Sequence, residues 1–251
     1  MKINKILCIG AALNDLLLKE TDEFLAKLGN EKGGMTLAED RSQLDSIVSE
    51  SNNSTDSAPG GSACNTAVGI ARLGGTVSFL GKRGKDEPGE YINNKLSDWG
   101  VDCKLFQSDT PTGQVLSLIT PDAQRTMITY LGAASELNPD ELSSSDFEDY
   151  DLVHIEGYLL FNTPFTMKVL KLAKSNNCKV SLDLSSFEVV NIFKEQLVDL
   201  LTNYVDIIIA NEDEAKAYTD KNPAESLEIF SHMAEMAIVK LGKDGVSIAY
   251  E

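Results

Sequence analysis

The stretch Gly60-Gly61-Ser62-Ala63-Cys64-Asn65-Thr66-Ala67 stands where a loop must turn into a helix. Before it, Ser51-Asn52-Asn53-Ser54-Thr55-Asp56-Ser57-Ala58-Pro59 is polar and reads as structure-breaking. After it, Ala63, Ala67, Ile70 and Ala71 fall on one helical face, and Gly74 closes a helix predicted over Ser62–Leu73. A glycine pair at a helix start has no Cβ to keep a ligand away from the backbone. The unpaired N–H groups there favour oxygen-rich or anionic ligands. Asn65 adds an amide that both donates and accepts, so Gly60, Gly61 and Asn65 are candidate contacts for a hydroxyl-rich small molecule. The same pattern also makes an ordinary tight turn, and the rest of the chain decides between the two.

Working outward, strand and helix patterns alternate. Lys5–Ile9 is a short apolar strand ending at Gly10, and Asn14-Asp15 follows it closely. In open parallel sheets ligands bind at the carboxyl ends of strands, so both residues are candidates to hold substrate hydroxyls. An Asx turn is the plainer alternative. Val77–Gly81 is a strand. Gly84-Lys85-Asp86-Glu87-Pro88-Gly89 then opens a helix with Asp86 as its N-cap and Pro88 in the first turn. Between Asp102 and Leu131 the pattern changes to hairpins: Leu105-Phe106, Gln114–Ile119 and Thr126–Tyr130 are strand-like and joined by turns. This predicts a small antiparallel sheet beside the main one, joined by Leu13–Leu18. From Asp151 the alternation resumes, with strands at Leu152–Glu156, Lys179–Asp183, Val205–Ala210, Ala237–Leu241 and Val246–Tyr250. The β-branched run at Val205–Ala210 predicts burial on both faces.

A second group of candidates lies in this half. Asn211-Glu212-Asp213-Glu214 follows a strand directly and opens a helix. Acids in a first turn suit the helix dipole, and a plain cap explains them. The spacing also suits nucleotide work, with Asn211 on a phosphate and Glu214 holding the waters of Mg²⁺, an ion that keeps most of its hydration shell. Lys240-Leu241-Gly242-Lys243-Asp244-Gly245 supplies a lysine and two glycines at another strand end, and Asp244-Gly245 is also a strong hairpin signal. There is no GxxxxGK[ST] run and no GxGxxG after the first strand, which excludes a P-loop and argues against a dinucleotide fold.

Composition narrows the partners. The chain has 251 residues, 22 basic and 39 acidic side chains, and a net charge of −17. That balance argues against nucleic acid, which requires a basic surface. No apolar run reaches membrane-spanning length, and a cytoplasmic location is the expectation. Cys8, Cys64, Cys103 and Cys178 form no CxxC pair and read as reduced thiols. His154 and His232 lack ligand spacing.

The ordered set of motifs resembles the ribokinase/PfkB carbohydrate kinases, and the likeness runs along the whole chain. Gly60–Asn65 is similar to that family's first signature, Gly84–Gly89 to its Asp-x-x-Gly loop, Asn211–Glu214 to its Asn-x-x-Glu motif and Lys240–Gly242 to its nucleotide loop. Glu156-Gly157-Tyr158 and Arg125-Thr126-Met127…Tyr130-Leu131-Gly132-Ala133 resemble the adenosine-kinase-like branch. The resemblance implies a ribokinase-like three-layer α/β/α sandwich with a small β-sheet lid, as one kinase domain over 1–251 with lid strands at about 13–37 and 102–131. It implies phosphoryl transfer from ATP, with Mg²⁺, to a hydroxymethyl group of a sugar or nucleoside. Asn14, Asp15, Gly60, Gly61, Asn65 and Glu156 would then bind substrate, Asn211, Lys240 and Gly242 the nucleotide, and Glu214 the metal through water. The family's second signature, Asp-Thr-x-Gly-Ala-Gly-Asp, carries the general base and is expected beyond Glu251, which would make this chain a fragment. The alternative is a non-catalytic sugar- or nucleoside-binding module of the same fold. Besides the small molecule, the expected partner is a second copy, in a homodimer through the lid.

Overall fold

The computed structural model describes residues 3–250. Its strands and α-helices run in the order β1 (Lys5–Ile9), β2 (Leu13–Lys19), α1 (Asp22–Leu28), β3 (Met35–Leu37), α2 (Arg41–Glu50), β4 (Thr55–Gly60), α3 (Ser62–Arg72), β5 (Thr76–Gly84), α4 (Glu87–Asp98), β6 (Asp102–Ser108), β7 (Thr112–Ile119) and β8 (Arg125–Gly132). Then come β9 (Leu152–Glu156), α5 (Thr163–Ser175), β10 (Lys179–Asp183), α6 (Phe187–Asn203), β11 (Ile207–Asn211), α7 (Glu212–Thr219), α8 (Pro223–Ser231), β12 (Met236–Lys240) and β13 (Val246–Tyr250). The chain forms two compact units.

The first unit comprises the residues up to Gly10, Leu73–Ser78 and those from Asn138 onward. Its sheet has the order β13-β12-β11-β10-β9-β1. Every pairing there is parallel except β12 with β13. Parallel neighbours need crossover helices, and α5, α6, α7 and α8 supply them. Their apolar stripes bury Phe165, Val169 and Leu170, then Leu197, Leu200 and Leu201, and Phe230. The parallel arrangement brings the carboxyl ends of β9, β10, β11 and β12 to one edge, and Glu156, Asp183, Asn211 and Lys240 end those strands.

The expectation for β11 needs correction. Ile208 and Ala210 are buried, but Ile207 and Ile209 are only half-buried. They share a face, through the register Ile207↔Met236↔Tyr250 and Ile209↔Ile238↔Ile248, with strand positions that are exposed on β13.

The second unit comprises Ala11–Arg72 and Phe79–Leu137. It carries the smaller sheet, order β3-β8-β7-β2-β4. Gln114–Ile119 lies in this sheet, as expected, but the sheet is mixed rather than antiparallel. The pairs β2–β7 and β3–β8 are parallel; β2–β4 and β7–β8 are antiparallel. Helices α1 and α2 cover one face through Leu25 and Leu44, which pack on Leu18, Leu116, Leu118 and Ile128. On the opposite face Leu13 and Val115 pack with Ala134, which lies just after β8.

Three local expectations fail. Thr55–Gly60 is a strand, not a loop. It sits at the sheet edge, where Pro59 loses no ladder bond and the polar run can face water. Asp102–Ser108 does not join the smaller sheet; β6 lies beside β5. Helices α1, α2 and α8 lie outside the expected elements, although Phe24, Leu25 and Leu28 on α1 and Leu44, Ile47 and Val48 on α2 recur at helical spacing. Elsewhere the caps read in the sequence are present. Asp86 accepts from Gly89 N at 3.0 Å and starts α4.

Candidate functional site

In the second unit the decisive positions are Asp15, Gly60 and Gly61. β2 is paired on both edges, to β7 and to β4, so its backbone is fixed and its side chains alternate faces. Asp15 projects on the face of Leu13 and Val115. A Cβ added at Gly60 would overlap the Asp15 carboxylate itself, so any side chain there displaces Asp15. Gly61 has φ of 105°, and a Cβ on it would overlap the Ala11 carbonyl. The strand therefore ends in two residues without side chains, and α3 starts at once. Asn65 N donates to Gly61 O at 2.9 Å, which closes the first turn and leaves the Asn65 side chain exposed.

A residue not assigned a role from sequence completes this cluster. Arg125 stands on the same face, its Nη2 donating to Ser117 Oγ at 3.0 Å and lying 4.0 Å from Asp15 Oδ2. Burial pushes the Asp15 carboxyl above its ordinary range, and the Arg125 charge opposes that push. A half-exposed guanidinium beside a half-buried carboxylate is suited to polar recognition of hydroxyl or acidic groups.

Asn14 does not join them. Consecutive strand residues point to opposite faces, so Asn14 lies on the side of Leu16 and Leu18, is 4% exposed, and accepts from Ser57 Oγ at 2.7 Å. Asp86, beyond its cap, accepts from Thr112 N at 2.9 Å and from Thr112 Oγ1. Burial raises its carboxyl, but these bonds, with Gly89 N–H and Arg41, outweigh it and hold the group below the usual range.

In the first unit a separate polar cluster gathers at the strand ends. Glu156 is 2% exposed at the end of β9. Burial, with the Glu156 charge adding to it, pushes the Cys8 thiol up to about 12, so Cys8 is an inert core residue. Asn211 caps α7 in a reciprocal box. Glu214 N donates to Asn211 Oδ1 at 2.8 Å, while Asn211 N and Nδ2 each donate to the Glu214 carboxylate at 2.7 Å. Glu214 is 1% exposed, and burial, with the nearby Asp183 charge, raises its carboxyl against the Asn211 N–H bond and the Lys240 charge.

Lys240 Nζ donates to Asp183 Oδ2 at 2.8 Å. Asp183 was not picked out from sequence, although an acid ending a predicted parallel strand was the available signal. Gly242 adopts φ of 54° with no atom within 4 Å of an added Cβ, in the short turn joining β12 to β13. That turn is the hairpin expected from Asp244-Gly245, and it leaves the Gly242 backbone open on one side. Among the described residues no group of three His, Cys, Asp or Glu side chains could cage a metal. Two carboxylates facing one lysine leave surplus negative charge, which fits a hydrated cation held through water rather than a direct metal ligand set.

With this geometry in view, the comparisons with known proteins fall into place. The model of the pfkB family carbohydrate kinases matches residues 4–251. The chain belongs to that family. It is 30% identical to the adenosine kinase of Saccharomyces cerevisiae, over 95% of this chain and 78% of that protein. It is 29% identical to a 5-dehydro-2-deoxygluconokinase of Listeria monocytogenes, over 76% of this chain and 63% of that protein. The solved adenosine kinase of Sinorhizobium meliloti superposes with a TM-score of 0.87 at 28% identity, covering 100% of this chain and 78% of that one. The chain thus spans 63% to 78% of the length of these three relatives. The family match and these names bear out the expected family and the carbohydrate or nucleoside kinase class, and the superposition bears out the α/β fold with a second sheet. The binding-module alternative gains no support. No helix among the described residues is long and apolar enough to cross a membrane.

Proposed function

We propose that this protein transfers the terminal phosphoryl group of ATP to a hydroxymethyl group of a sugar or nucleoside, and that its two polar clusters divide the work. The single observation that carries the reading is the fit of the Asp15 carboxylate into the space that a side chain at Gly60 would fill, with Gly61 and the start of α3 next in the chain. A carboxylate fixed in this way accepts two hydroxyl hydrogen bonds from one acceptor molecule. Asp15, Gly60, Gly61 and Asn65 take the acceptor, with Arg125 beside Asp15. Glu156 serves the acceptor from the end of β9.

Asn211, Lys240 and Gly242 take the nucleotide. Lys240 is a cation in a chain of net charge −17, and the open Gly242 backbone offers close approach to a phosphate or base. Glu214 holds Mg²⁺ through water; the ion, when bound, neutralises phosphate charge. Phosphoryl transfer depends mostly on positioning and charge neutralisation, and these residues supply binding and charge. Proton removal from the acceptor is assigned to none of them.

The test is ADP formation by the protein purified as the product of its complete gene, with ATP, Mg²⁺ and, separately, adenosine, ribose, fructose and 5-dehydro-2-deoxygluconate. Acceptor-dependent ADP release supports the reading. ATP binding with no release on any acceptor would reject it in favour of a binder.

A further inference from the structure

The hydrogen bonds at the end of β10 form a chain that the roles above leave unused. Asp183 is 14% exposed and uses its two oxygens differently. Oδ2 accepts from Lys240 Nζ at 2.8 Å, and Oδ1 accepts from Ser185 N at 2.9 Å. Ser185 has φ of 68°, in the left-handed region that a serine enters only when its surroundings hold it there. From that conformation Ser185 Oγ accepts from Gly157 N at 2.8 Å. Gly157 follows Glu156 directly, and a Cβ on it would come 2.7 Å from Leu184 O and 3.0 Å from Asp183 O. The turn after β9 is therefore pressed against the turn after β10 and latched by Ser185.

We propose that Asp183 is a positioning residue that joins the two sides of the reaction. One carboxylate oxygen fixes and balances Lys240 on the nucleotide side; the other holds Ser185 in the conformation that latches the Glu156-Gly157 turn on the acceptor side. The inference rests on the kinase reading for the names of the two sides. The charge argument is direct. With Lys240 present, Asp183 carries a balanced charge. Without it, a poorly hydrated carboxylate stands unpaired where a triphosphate is to bind, and like charges repel strongly at low exposure. The hydrogen-bond argument is independent of charge, because an asparagine at 183 keeps an oxygen for Ser185 N–H.

The two ends separate experimentally. ATP affinity is measured by titration calorimetry, without acceptor or turnover. Lys240→Met is expected to weaken ATP binding about fivefold or more, and adding Asp183→Asn to it is expected to recover about threefold or more. Hydrogen exchange is read at the Gly157 amide. It is expected to speed up about tenfold in Asp183→Ala and to stay near the wild-type rate in Asp183→Asn. Ser185→Ala, which removes the latch and the bond from Ser185 Oγ to the Asp183 backbone carbonyl but leaves the Asp183 carboxylate in place, is expected to speed Gly157 exchange while leaving ATP affinity unchanged, and it serves if Asp183→Ala fails to fold. Equal ATP affinity of Lys240→Met and the double variant would overturn the charge half. Unchanged Gly157 exchange in Asp183→Ala or Ser185→Ala would overturn the latch. A wild type that binds no ATP at all would instead overturn the kinase reading, and the exchange experiment would still decide the latch.

Discussion

Asp15 occupies the space that any side chain at position 60 would need: a Cβ on Gly60 would overlap its carboxylate. The two residues lie on the paired strands β2 and β4, and β2, paired on both edges, cannot withdraw. Gly60→Ala should therefore displace the Asp15 side chain rather than unfold the sheet edge. The expected outcome is a loss in kcat/KM of about tenfold or more, with a melting temperature within a few degrees of wild type. A Gly60→Ala enzyme with wild-type kcat/KM would show that the carboxylate is not where binding is decided.

Asp15 itself is the sharper probe. Burial favours its neutral form and Arg125 favours its charged form, so the group is under opposing pressures that a bound hydroxyl pair would resolve toward the carboxylate. Asp15→Asn keeps the shape and removes one acceptor and the charge. Its expected cost is about 2–4 kcal/mol in transition-state stabilisation, from polar groups left unpaired on the acceptor. The measurement is kcat/KM beside a circular dichroism melt; an unchanged ratio with an intact fold would remove Asp15 from the site.

Glu214 has two readings, and its capping box lets them be told apart. Glu214→Gln exchanges one of the oxygens that accept from Asn211 for a donor, and losing such a cap costs about 1 kcal/mol of stability. If Glu214 also holds hydrated Mg²⁺, the variant needs a higher Mg²⁺ concentration for half-maximal rate. Superimposable Mg²⁺ titrations with a lower melting temperature would leave only the cap.

Much of this was legible in the sequence, for physical reasons. β9, β10 and β13 were read to the residue because their apolar runs are bounded by turn formers, and α4 because Asp86 and Pro88 mark its start. β4 was missed because an edge strand can be polar and can hold Pro59, so it carries the composition of a loop. β6 was placed in the wrong sheet because periodicity reports that a segment is extended, not what it pairs with. In the candidate site Gly60 and Gly61 were legible since a Cβ on either would overlap Asp15 or the Ala11 carbonyl. Asn14 was coupled to Asp15 by adjacency, and the two-residue period of a strand separates them. Asp183 and Ser185 were not found, because their meaning lies in bonds to Lys240 and Gly157, far away in sequence.

The buried His154 gives the fold a pH dependence that can be predicted in sign. It is 4% exposed, its Nδ1 lies 3.2 Å from Ser181 Oγ, and its Nε2 meets no partner among the described residues. Burial pulls its pKa from the ordinary 6.5 down to about 4, with Asp183 opposing and Lys240 assisting. The unfolded chain therefore binds a proton between these two values while the folded chain does not. The stability tied to the neutral ring is complete above the unfolded value near 6.5 and is lost as pH falls toward the folded value of about 4. Integrated over that window the loss is on the order of 3 kcal/mol. His154→Gln, which cannot titrate, should remove this component and leave only the contribution of the carboxylates. Urea unfolding of both proteins at several pH values between 7 and 4 measures it. The difference in unfolding free energy between wild type and variant should shift steadily against the wild type as pH falls, and a difference that stays constant across the window would mean that His154 takes up its proton as readily in the folded protein as in the unfolded chain.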